Sequence, residues 1–76
     1  MSSNKEINLT QANINVEYTI KKIDTNDLEL KNFLFTLGCY SGQKLTLISV
    51  LSENYIISVK HSRYSIDSDL AASIII

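Results

Sequence analysis

His61, Cys39 and Arg63 are the single histidine, cysteine and arginine of a 76-residue chain, and they bound the chemistry it can offer. His61 stands in an expected hairpin turn with Asp67 and Asp69 the only carboxylates after it, which reads as a solvated side chain. A metal site here would have to draw on His61, Asp67 and Cys39. No C-x-x-C or H-x-x-x-H spacing, the kind that brings ligands to one side of an ion, supports such a site, so no metal and no cofactor are expected. Cys39 reads as a small buried hydrophobe rather than a nucleophile. With no legible pair of nucleophile and base, an enzyme is disfavoured and a binding protein is the better expectation.

The clearest element that could present a binding surface is the stretch Leu28 to Gly42. Leu30, Phe33, Leu34 and Leu37 recur at i, i+3, i+4 and i+7 and predict one buried face of an α-helix. Asn26 with Glu29 three residues on matches a capping box, and Gly38 sits where a left-handed residue ends a helix. At about 100° per residue, Leu28 and Phe35 fall together on the opposite side. Two explanations stand: Ile7 and Leu9 of the leader fold back over this pair, or the pair is a docking patch for a partner. Leu28, Lys31, Phe35 and Tyr40 are the expected partner-binding residues.

Composition narrows the partner. Seven basic and eight acidic residues give a net charge of -1, a poor match to the phosphate backbone, so nucleic acid is not expected. One cysteine permits no internal disulfide and suits a reducing compartment. The opening MSSNKEINLTQ has no apolar signal core, and the apolar-leaning run Leu34 to Leu51 is broken by Gln43 and Lys44 short of the roughly 18 to 20 residues of a span. A cytoplasmic protein with no direct membrane insertion follows. The length allows one domain, over residues 12–76, behind a leader, partly flexible, over residues 1–11, whose Ile7 and Leu9 could dock on the barrel.

Around the helix the period is two. Val16, Tyr18 and Ile20 share one face of a first strand; Ile23 falls out of phase, suggesting a bulge near Lys21 and Lys22. Lys44 to Leu51 and Tyr55 to Lys60 read as a hairpin across Ser52, Glu53 and Asn54. Arg63 to Asp67 follows as a short strand, Asp67 to Ala72 as a helical turn capped by Asp67 or Ser68, and Ile74 to Ile76 as the last strand. The fold class expected is mainly β: a small, partly open SH3-like five-stranded barrel, one α-helix inserted after the first strand and a short helical turn before the last.

In this order of elements the chain resembles the FeoA family of ferrous iron transport protein A. Leu34, Leu37, Gly38 and Gly42, then Ile48 and Val50, then Tyr64, Ser65 and Ile66, and finally Leu70, Ala71, Ile74 and Ile76 carry the likeness, which covers about Leu9 to Ile76. Glycines common in the family before the first strand and ahead of the helix are replaced around Asn15 and Asp24 to Asn26, and Ser41 stands where a proline is frequent. Asn and Asp tolerate unusual backbone angles better than most residues. The resemblance implies a small cytoplasmic accessory that binds and regulates a GTP-dependent ferrous iron transporter through its cytoplasmic, FeoB-like GTPase part. The alternative is a regulatory barrel domain related to the C-terminal domain of metal-dependent repressors; a chain with its own Met and no helix-turn-helix favours the free-standing form. A GTPase partner also raises Arg63 as an arginine finger supplied in trans, against the plainer reading of a loop cation. Oligomeric state is not legible at this level.

Overall fold

Positive backbone angles turn the β-branched half of the chain back on itself twice. In a computed structural model, which describes residues 6–76, Ser52 has φ 59°, and Lys60 and His61 have φ 51° and 71°. Two consecutive left-handed residues make the tight hairpin turn whose twist matches that of its strands. The strands so joined are β3 (Lys44–Leu51), β4 (Asn54–Val59) and β5 (Ser62–Ile66). Leu47 pairs with Ile57, Tyr55 with Ile66 and Val59 with Ser62. Leu45, Leu47, Ile57, Val59 and Ile66 are all buried, so the period of two becomes one apolar face. At Ile48 the register slips by one, and beyond this bulge Val50 rather than Ser49 lies opposite Tyr55.

The first strand is where sequence and structure part. Expected as one bulged strand, it is two: β1 (Glu17–Thr19), antiparallel to β3, and β2 (Lys22–Ile23), antiparallel to β6 (Ile74–Ile75). The Ile20 amide donates to Gln43 O at 2.8 Å and the next amide, of Lys21, donates to Ile75 O at 2.7 Å. Ile23 is out of phase with Ile20 because the chain changes sheet between them, and both side chains still reach the core. The result is a four-stranded sheet in the order β1-β3-β4-β5 and a two-stranded sheet β2-β6, six short strands in place of five. These two sheets and two helices build the mainly β, SH3-like fold.

The main helix, α1 (Leu28–Leu37), is capped by Asp27 and not by Asn26. The Asp27 carboxylate accepts from the amides of Glu29 at 3.0 Å and Leu30 at 3.2 Å, and a charged oxygen serves orphan amides at the positive helix end better than a neutral amide side chain does. Gly38, at φ 95°, ends the helix, and the Cys39 amide reaches back to Leu34 O at 2.9 Å. Leu34 is fully buried and Leu30 and Leu37 pack against the core, whereas Phe33, expected on the same face, is 47% exposed at its flank. The short helix α2 (Ser68–Ser73) is capped by Asp67, whose carboxylate accepts from the Leu70 amide at 2.9 Å.

In the described part of the leader, Leu9 docks in the core, as the sequence allowed. Leu9–Gln11 forms a 3-10 helix in which Asn8 Oδ1 accepts from Thr10 N and Gln11 Oε1 accepts from Asn8 N. This turn lies against α2, and Leu9 is fully buried. Residues 1–5 of the expected leader lie outside the described residues. Among the described residues no helix is long and apolar enough to cross a membrane.

Candidate docking site

Of the residues with reactive chemistry, one is buried and two are at the surface. Cys39 is fully buried beneath the end of α1, and burial pushes its thiol up to about 11, so it is a protonated, inert packing group at neutral pH. His61 and Arg63 are exposed on the β4–β5 turn and on β5. The described residues contain no group of three or more His, Cys, Asp or Glu side chains able to hold a metal ion, and they enclose no pocket.

The exposed apolar surface on α1 is more informative. Leu28 is 71% exposed and Phe35 45% exposed. Ile7 and Leu9 do not cover them: Leu9 is in the core, Ile7 packs against it, and the Ile7 carbonyl is taken by the Ile76 amide. Of the two explanations, covering of this pair by Ile7 and Leu9 is the one that falls. Lys31 lies one turn before Phe35 on the same side of the helix and is half-buried.

Tyr40 follows the Gly38 cap in a turn closed by a hydrogen bond from the Gln43 amide to Tyr40 O at 3.0 Å, with Gly42 at φ 90°. That turn brings the Tyr40 ring into a T-shaped pair with Phe35, with centroids 6.2 Å apart and planes at 80°. Such an arrangement places the positive edge of one ring on the negative face of the other. Leu28, Lys31, Phe35 and Tyr40 thus lie along one ridge of α1 and its exit loop.

One member of this ridge was not legible beforehand. Lys60, twenty residues further on in the β4–β5 turn, donates from Nζ to Tyr40 Oη and lies 4.8 Å from the Tyr40 ring centroid. Its stem crosses Gly38, where an added Cβ would stand 3.3 Å from Lys60 Cδ. No spacing signal joins positions 40 and 60; only the packing of a hairpin turn on a helix end does.

With this geometry established, known proteins resemble the chain in the following ways. The model of the FeoA domain matches residues 7–76. An iron uptake regulatory protein, FeoA, superposes with a TM-score of 0.82 at 18% identity, over 93% of either chain. FeoA of Stenotrophomonas maltophilia complexed with zinc, described as a procaryotic SH3 domain protein, superposes at 0.78 and 12% identity over 90% of this chain and 86% of that one. A manganese-dependent transcriptional repressor matches at 0.85 and 12% identity, over 99% of this chain and 42% of its own. No curated protein sequence matches the chain.

Proposed function

The chain belongs to the FeoA family, and from that premise we propose that it is a cytoplasmic accessory of ferrous iron transport which binds the GTPase part of a FeoB-like membrane transporter and regulates it. The observation that carries the reading is the ridge Leu28, Lys31, Phe35 and Tyr40, on which Leu28 and Phe35 are exposed. Apolar and aromatic side chains held in fixed register on a helix, with a cation beside them, are what a protein partner's groove takes up. Binding rather than catalysis also fits a buried, protonated Cys39. The relative from Stenotrophomonas maltophilia, put forward as a ferrous iron transport activating factor, supports the same assignment.

A second reading, a regulatory barrel domain like that of metal-dependent repressors, rests on the likeness in fold to the manganese-dependent repressor. It needs a DNA-binding partner chain. Affinity capture from membranes containing the transporter, with and without a non-hydrolysable GTP analogue, tests both. Retention of the transporter is expected; its absence under every nucleotide condition sinks the first reading, and retention of a helix-turn-helix chain instead establishes the second.

A further inference from the structure

The ridge on α1 carries two ammonium groups that have no carboxylate partner among the described residues. Among the described residues the ion pairs are Lys22 with Glu6 at 3.5 Å and Lys44 with Glu17 at 3.9 Å; neither Lys31 nor Lys60 is in one. Asp27, one turn before Lys31, turns its carboxylate onto the helix amides, and Glu29, two residues before Lys31, points to the other side of the helix. The two cations stand on either side of Phe35 and Tyr40 in the order Lys31, Phe35, Tyr40, Lys60.

Lys60 is also held in place. Its ammonium is tied to Tyr40 Oη, its stem lies over the bare backbone of Gly38, and its own backbone is fixed in a two-residue turn. A lysine side chain that is ordered before binding gives up less conformational freedom when it pairs. The net charge of the chain is -1, so the protein as a whole is not basic.

Resting on the reading of this ridge as the docking site, we infer that its occupant is an acidic amphipathic segment of the partner protein: a leucine or aromatic side chain against Phe35 and Tyr40, with carboxylates on Lys31 and Lys60. Charge complementarity sets the choice of partner and the rate of encounter, and the apolar contact supplies the burial.

The test uses the full chain labelled with nitrogen-15 and two peptides: an amphipathic one of Leu, Trp and Glu, and a twin with Lys at every Glu. The acidic peptide is expected to shift the amides of Leu28, Lys31, Phe35, Tyr40 and Lys60, and its affinity to fall several-fold between about 50 and about 300 mM salt. Lys31→Met and Lys60→Met, which keep the aliphatic stems, should each weaken it by about two- to fivefold, as exposed ion pairs do, and Lys60→Arg should restore it. Equal binding of the basic twin overturns the inference, as do shifts centred on Ile14 or Leu51. Concentration-dependent shifts of the ridge without peptide, joined by Leu51 and Glu53 at the β3–β4 turn, overturn it in favour of a second copy of the chain.

The same variants separate this inference from the transporter reading. If the Lys31→Met, Lys60→Met double variant captures the transporter as well as the parent does, the acidic occupant is wrong and the transporter reading survives. If the parent captures no transporter while the acidic peptide still selects the ridge, the transporter reading falls and the inference stands.

Discussion

The amide of Ile76 donates to the carbonyl of Ile7 at 2.9 Å, and one step inward Asn8 bridges to Ile75. The last strand is thereby held on both sides, by β2 and by the segment leading into the 3-10 helix. Ile74, Ile75 and Ile76 are all buried, an unusual concentration of apolar surface for three consecutive residues, because each strand edge is occupied and no face is left to water.

Removing Ile74, Ile75 and Ile76 should abolish cooperative folding, since each isoleucine stands to lose about 1.5 to 3 kcal/mol of burial in a domain with little stability in reserve. Leu9→Ala, which leaves the strand intact, should cost about 2 to 5 kcal/mol. Thermal melts and amide dispersion check both. A truncated chain with the parent's melting temperature would disprove the closure.

Two glycines with left-handed angles should respond differently to alanine. Gly42 has open space around the missing Cβ, so Gly42→Ala should cost only the conformational strain of about 1 kcal/mol. Gly38→Ala adds crowding against Lys60 Cδ at 3.3 Å and Val59 Cγ1 at 3.4 Å, and should cost about 2 kcal/mol or more while displacing Lys60 from Tyr40. Denaturant titration ranks the pair. Equal losses would show that the Lys60 stem is not held there.

Phe35→Ser removes an exposed ring whose aromatic contact is the T-shaped pair with Tyr40, so stability should fall by no more than about 1 kcal/mol. Transporter binding should fall at least tenfold if this ring is an anchor of the interface, where such residues are worth about 2 kcal/mol or more. A melting curve with a binding titration settles it: a large stability loss without a change in affinity would take Phe35 out of the docking site.

Burial raises the Cys39 thiol from 9.0 to about 11, so the folded state holds that proton more tightly than the unfolded chain does. The stabilising contribution is whole below about pH 9 and is lost as pH rises toward 11, because above pH 9 the unfolded state sheds the proton first. Stability of the parent should therefore decline more steeply over that window than stability of Cys39→Ala. Parallel pH profiles of the two chains would contradict this account. At pH 8 the native thiol should also resist a disulfide reagent that labels the unfolded chain.

Much of this protein is written in short-range patterns. Leu30, Leu34 and Leu37 mark the buried helix face, Gly38 its end, and alternation along Tyr55, Ile57 and Val59 the strand that fills the core; each of these depends on neighbours within about four residues. The choice between Asn26 and Asp27 as cap was a contest between adjacent side chains, decided by which one's oxygen reaches two amides at once. Period alone also overcounts: Phe33 has the right spacing for the core, but it lies at the edge of the stripe and is exposed.

Tertiary structure decided what local pattern has no means to encode. The split of the first strand at Ile20 and Lys21 exists because Gln43 and Ile75, far along the chain, each offer a carbonyl there. Leu9 belongs to the core rather than to the outer helix face because α2 and β6 arrive to receive it. Lys60 completes the ridge beside Tyr40 because a β-turn packs on a helix end that has no side chain at Gly38. Periodicity reports which side of an element is apolar; which distant element meets that side depends on how all the chain's loops close together, and that is settled only when the whole chain is packed.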